Sequence, residues 1–159
     1  MRILKIYDGD YPWDVRVEKI TQSLLGAGHE VRLLGRNLGG RPHSERAADG
    51  LEIVRLPTPA LLSFPFPLNP IWWQQIRAQI RAYRPERILV RDLPLAPIAV
   101  AAGRRAGIPV IADLAEPYPD SLRSQRQFQR LTGIARWIRN PAAAEAAERY
   151  VLRRVDRAL

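Results

Sequence analysis

The sequence predicts an α/β fold, a doubly wound parallel sheet with helices on both faces. Short β-type runs alternate with segments of helical period along the chain, the pattern of strand–helix–strand units. The runs Ile88-Leu89-Val90 and Val110-Ile111-Ala112 are apolar at every position, as central parallel strands covered on both sides require. The length, 159 residues, suits one domain with a substantial core. The expectation is a single Rossmann-like domain over residues 1–159.

In chain order, 3–7 is the first strand. Val17, Ile20, Leu24 and Ala27 then fall on one face of a helix, with Asp14 as N-cap and Gly26 and Gly28 as the stop. Residues 30–34 form a second strand, 35–50 a polar, glycine-rich loop, and 51–56 a third strand. The stretch 57–70 holds five prolines and is irregular. A helix over 71–83, a strand over 87–90, a helix over 94–105 and a strand over 108–112 follow, then helices over 121–139 and 142–158. The expected strand order is 3-2-1-4-5.

A hydrophobic content of 47% argues against long disorder. The formal charge is +9, and all but two of the 25 Lys and Arg residues are arginine. The planar guanidinium of arginine suits anions such as phosphate; codon bias from a GC-rich genome explains the preference equally well. No cysteine is present, which excludes disulfides, thiolate metal sites and cysteine nucleophiles. With His29 and His43 the only histidines, a histidine-built metal site is not expected; no cofactor is expected either. The N-terminus lacks the features of a signal peptide, and no run approaches the ~18 apolar residues of a membrane span. A cytoplasmic protein is the expectation.

Ligands of doubly wound sheets bind beyond the carboxyl ends of the strands, where strand order reverses. The first strand ends in Asp8-Gly9-Asp10, the fourth in Arg91-Asp92 and the fifth in Asp113-Leu114-Ala115-Glu116. Asp10, Arg91, Asp92, Asp113 and Glu116 are therefore expected to converge, joined by Arg16 from the first helical turn, where its charge adds to the helix dipole. Asp14 reads as a cap rather than a catalytic group. Asp92 reads equally as a cap or a functional carboxylate, whereas Glu116 precedes Pro117 in a loop and no cap explains it. A carboxylate beside an arginine holds a sugar hydroxyl or acts as a base, and the residues leave both open. The first turn has one glycine where a dinucleotide fingerprint needs three, and there is no P-loop.

Trp73, Arg77, Arg81 and Arg84 share one helical face beside the apolar stripe Trp72, Ile76, Ile80 and Tyr83. Arg123, Arg126, Arg130 and Trp137 repeat the device on the penultimate helix, and Phe64 and Phe66 lie in an apolar loop. Tryptophan beside arginine suits an anionic membrane surface. It equally suits a solvated face with the ring stacked under an arginine stem. No nucleic-acid module is recognisable, so a nucleic-acid partner is not expected.

Residues 11–19, Tyr11-Pro12-Trp13-Asp14-Val15-Arg16-Val17-Glu18-Lys19, resemble the first loop and helix of family 4 glycosyltransferases of the GT-B fold. Leu24 to Val31, with Gly28-His29-Glu30-Val31, resembles that family's approach to its second strand, and Asp49-Gly50-Leu51-Glu52-Ile53-Val54 its third. Arg91-Asp92-Leu93-Pro94, Gly107-Ile108-Pro109-Val110-Ile111-Ala112-Asp113 and Glu116-Pro117-Tyr118 complete the resemblance, which spans 1 to about 119. It implies the N-terminal, acceptor-side domain of a retaining, metal-independent enzyme moving a hexosyl group from a nucleotide-sugar to a lipid-linked or saccharide acceptor. The implied setting is cytoplasmic, at the inner face of a membrane. On this expectation Glu116 and Asp92 are catalytic, and Asp10, Arg16, Arg91 and Asp113 bind acceptor or phosphate. The alternative is a non-catalytic module docking on an anionic membrane or a partner. Many relatives carry a glycine pair where this chain has Val15-Arg16, and histidines at Arg91 and Ala115. The chain is expected to end in a helix, before a sixth strand and the donor-binding domain, as one part of a longer protein or a natural split protein; alone it is expected to be inactive.

Overall fold

The computed structural model describes residues 1–159 apart from 13, 57, 58, 60, 61, 116 and 125–139. Its seven-stranded sheet contains β1 (Arg2–Ile6), β2 (Glu30–Gly35), β3 (Ser44–Arg46), β4 (Glu52–Arg55), β5 (Arg87–Arg91), β6 (Val110–Asp113) and β7 (Arg157–Ala158). The helices are α1 (Val15–Gly26), α2 (Pro70–Tyr83), α3 (Ala96–Ala106), α4 (Tyr118–Ser124) and α5 (Pro141–Leu152). Strand order is β3-β4-β2-β1-β5-β6-β7. The five predicted strands stand in their expected order, and only β3 runs antiparallel to its neighbour.

Strand alternation divides the core in two. Leu4, Ile6, Leu34, Val54, Ile88, Val90, Val110 and Ala112 point to the face covered by α2, α3 and α5. Val31, Leu33 and Ile53 point to the face where Val17 of α1 packs. The fully buried Trp72 and Ile76 of α2 belong to the first face, and each such side chain contributes about 1.5–3 kcal/mol by leaving water. Gly103 lets α3 lie close on the sheet: a Cβ there would meet Val110 Cγ2 at 2.4 Å and Ile108 O at 2.9 Å.

Two predicted boundaries are corrected. The loop over 35–50 contains β3, whose polar Ser44-Glu45-Arg46 shows no apolar alternation but pairs with β4 as an edge strand. The helix expected over 142–158 stops at Leu152, and Arg157–Ala158 instead pair with β6. Backbone satisfaction decides this: Asp156 N donates to Val110 O and Leu159 N to Ala112 O, at 2.9 Å each, pairing buried groups that a continued helix would leave alone. Of the helix expected over 121–139, the described part is the last turn of α4, which begins earlier, at Tyr118; 125–139 lie outside the described residues. Among the described residues no helix is long and apolar enough to cross a membrane.

Candidate functional site

Parallel strands β1, β5 and β6 present their carboxyl ends side by side, with Arg91 opposite Asp113 in register. The centre of the resulting crevice is Asp113, 1% exposed, held by two arginines. Arg16 Nη2 donates to Asp113 Oδ1 at 2.6 Å and its Nε to the same atom at 3.2 Å. Arg91 Nη1 donates to Asp113 Oδ2 at 3.4 Å. Arg91 also reaches Asp14 Oδ2 at 3.1 Å and Asp92 Oδ2 at 3.5 Å. Arg91 is buried, whereas the Arg16 side chain is 49% exposed. Asp14 meanwhile caps α1 as expected, accepting from Arg16 N and Val17 N at 2.9 Å. Beneath the crevice, burial lowers the Lys5 pKa to about 8 against the opposing pull of Asp113; its ammonium donates to Val17 O and Thr21 Oγ1.

Asp92 does not cap α3. The residue before that helix is Leu95, with no side-chain cap bond, and Asp92 sits in the left-handed region at φ 63°. A non-glycine residue there costs about 1–3 kcal/mol and recurs at functional sites. Asp10 stands apart from the crevice pair. Its Oδ2 accepts from Gly39 N at 3.0 Å, and its Oδ1 lies 3.7 Å from Nε of the buried Arg55. Arg55 further binds Glu45 and the carbonyls of Tyr11 and Pro42, so Asp10 belongs to a clasp tying the 37–43 loop to β4. Glu116 lies outside the described residues.

A cavity of about 520 Å³ adjoins the crevice. One wall is the 64–68 loop, another is Leu93-Pro94, and Tyr118 and Leu122 of α4 with Ala143, Ala144 and Ala147 of α5 close it. Asp8 and Arg36, at the ends of β1 and β2, form its charged side. Burial, with the charge of Asp92 second, raises the Asp8 pKa to about 6. Asn69 fixes the loop: its Oδ1 accepts from Ile71 N at the start of α2 while its Nδ2 donates to Leu62 O and Phe64 O. Trp72 Nε1 donates to Ser63 O.

The aromatic and basic residues expected at a surface fall in several places. Phe64 and Phe66 line the cavity. Trp73 is half-buried against the core, its ring centre 5.8 Å from the guanidinium of Arg77 and 5.2 Å from that of Arg105. Arg77, Arg81 and Arg84 are exposed. Arg123 pairs with Asp120 and Glu145, bridging α4 to α5. Arg126, Arg130 and Trp137 lie outside the described residues. Sequence reasoning did not select Asp8, Arg36 or the α5 alanines. The strand-end rule reaches the first two, whereas only the folded position of α5 brings its alanines to the cavity.

The doubly wound sheet with this carboxyl-edge site is a Rossmann-like domain of the GT-B glycosyltransferase type. Its fold is shared with a sucrose-phosphate synthase from Thermosynechococcus elongatus, TM-score 0.71 at 14% identity over 99% of this chain and 41% of that one. It is also similar to a ugt transferase from Siraitia grosvenorii in complex with UDP, TM-score 0.58 at 13% identity over 96% and 42%. An Os79 variant from O. sativa in complex with UDP has TM-score 0.55 at 14% identity over 99% and 46%. The chain thus spans under half the length of these proteins. No curated protein matches the sequence. A family model described as "Glycosyl transferase 4-like domain" matches residues 14–159, and the chain belongs to that family.

Proposed function

We propose that this chain is the acceptor-binding half of a retaining, metal-independent glycosyltransferase that transfers a hexosyl group from a nucleotide-sugar. The donor is held by a second domain outside these 159 residues. The supporting observation is the charged crevice and adjoining cavity at the carboxyl edge of the sheet, in a domain of this family. Asp92 orients the acceptor hydroxyl, with Glu116 following β6 in the same role. Arg91, held by three carboxylates, keeps Asp113 in place. Arg16 is the available cation: half-exposed, it can leave Asp113 to Arg91 and meet an incoming phosphate, two of whose oxygens its planar fork binds together. Asp10 acts indirectly by holding the 37–43 loop.

The test is transfer from a labelled nucleotide-sugar by the chain alone and together with the segment encoded downstream. Transfer requiring both, and lost in Asp92→Asn, is the expected result; efficient transfer by the chain alone refutes the two-domain reading.

A second reading, docking on the anionic inner face of a membrane, is supported by the exposed Arg77, Arg81 and Arg84 on α2. Because Trp73 is held against two guanidiniums, charge rather than the ring would carry such a contact, at about 1 kcal/mol per arginine. Sedimentation with anionic vesicles, lost in the triple glutamine variant, is its expected signature; equal sedimentation of both proteins discards it.

A further inference from the structure

We propose that the acceptor is an amphipathic alcohol rather than a free sugar, its apolar body filling the cavity and its hydroxyl reaching Asp8. This rests on the acceptor-binding reading above and narrows its substrate class.

The chemistry of the lining decides between the two acceptors. A sugar brings a hydroxyl on nearly every carbon, and each one buried without a partner costs affinity. The described walls offer Phe64, Phe66, Leu93, Leu122 and small alanines. Their polar side chains are few and mostly engaged. Asn140 Oδ1 caps α5 by accepting from Ala142 N at 2.9 Å, and Arg36 Nε donates to Ser63 Oγ at 3.3 Å. Such a wall matches an apolar body, and about 520 Å³ lies within the ~300–1,000 Å³ of small-molecule sites.

Among the described residues the charged groups of the lining, Asp8 and Arg36, stand on one side, which orients the occupant. Asp8 lines the cavity, and it follows Ile6 of β1 by two residues as Asp92 follows Val90 of β5, the two strands being paired in that register, so both carboxylates stand at the same carboxyl edge. A hydroxyl donated to Asp8 therefore lies beside the residues proposed to act on it. Asp8 accepts such a bond best when ionised, and with its pKa at about 6 it is ionised at neutral pH. An alkyl alcohol from a lipid and a ring-shaped aglycone share this chemistry.

Calorimetric titration of the 159-residue chain tests the assignment with n-octanol, 2-naphthol, 2-methoxynaphthalene, glucose and sucrose. Alcohol binding without sugar binding is expected, octanol alone indicating a lipid source and naphthol the ring-shaped one. Ala143 is exposed on α5 at the cavity rim, so Ala143→Trp occludes the cavity without disturbing the core. It should weaken alcohol binding about tenfold, a ~1.4 kcal/mol change, with the melting temperature unchanged. Asp8→Asn should weaken naphthol about fivefold, as a charged acceptor becomes neutral, and leave 2-methoxynaphthalene unaffected. Sugars that bind and are displaced by Ala143→Trp, or alcohols indifferent to that substitution, overturn the proposal. Alcohol binding with these sensitivities, but no glycoside formed with the downstream segment present, would instead refute the enzyme reading and leave the cavity assignment standing.

Discussion

Replacing Asp113 by Asn removes the carboxylate that, among the described residues, holds both crevice arginines. The side chain is 1% exposed and Arg91 is 9% exposed, so their pairing takes place out of water. Breaking a buried pair from one side costs about 3–5 kcal/mol, because the remaining charge is left uncompensated. Two features reduce that here. Arg91 keeps Asp14 at 3.1 Å and Asp92 at 3.5 Å, and Arg16, 49% exposed, relaxes into solvent. The expected loss is about 2–3 kcal/mol for Asp113→Asn. Arg16→Gln leaves Asp113 with Arg91 and behaves as a surface pair, so its loss should be clearly smaller than that of Asp113→Asn. Urea unfolding measures both, with an unchanged m-value required so that the midpoints report stability. Equal losses, or a larger loss for Arg16→Gln, would refute the placement of the buried charge at Asp113.

Gly103→Ala should destabilise by about 1–2 kcal/mol: overpacking costs ~1–3, and the better helix propensity of alanine returns part of it. A raised melting temperature would contradict the close approach of Val110 and Ile108 to α3. Asn69→Ala removes the α2 cap and both anchors of the cavity wall; a loss of about 2 kcal/mol in urea unfolding should accompany weaker alcohol binding, and unchanged binding would detach the loop from the site. The Asp8 carboxyl is raised from 3.8 to about 6 by folding, so the native state holds the proton more tightly. The stability this contributes is complete below pH ~4 and lost as pH rises through ~6, by about 1–3 kcal/mol. Asp8→Asn should lack that step, and parallel stability–pH curves for the two proteins would refute it.

Much of the fold was legible because parallel strands announce themselves. Apolar runs at 88–90 and 110–112 become the central strands β5 and β6, and the strand-end rule brings Arg16, Arg91, Asp92 and Asp113 to one crevice. What was hidden depends on pairing rather than pattern. β3 and β7 are too short and polar to show a period. Asp10 follows the same strand as Asp8 yet turns to Arg55, a choice made by the 37–43 loop. The cavity needs α5 from the far end of the chain to close it. Trp73 illustrates a shared signature: a ring beside arginines marks both a surface anchor and a stacked side chain, and only coordinates show the guanidiniums of Arg77 and Arg105 over it.

The acceptor-side assignment is tested most directly by an amide spectrum of the chain titrated separately with 2-naphthol and with UDP. The account predicts that naphthol shifts the resonances of Asp8, Arg36, Phe64, Leu93, Tyr118 and Ala143, while UDP alone produces no saturable shift among them. Saturable UDP binding at those residues, with naphthol leaving them unmoved, would contradict it.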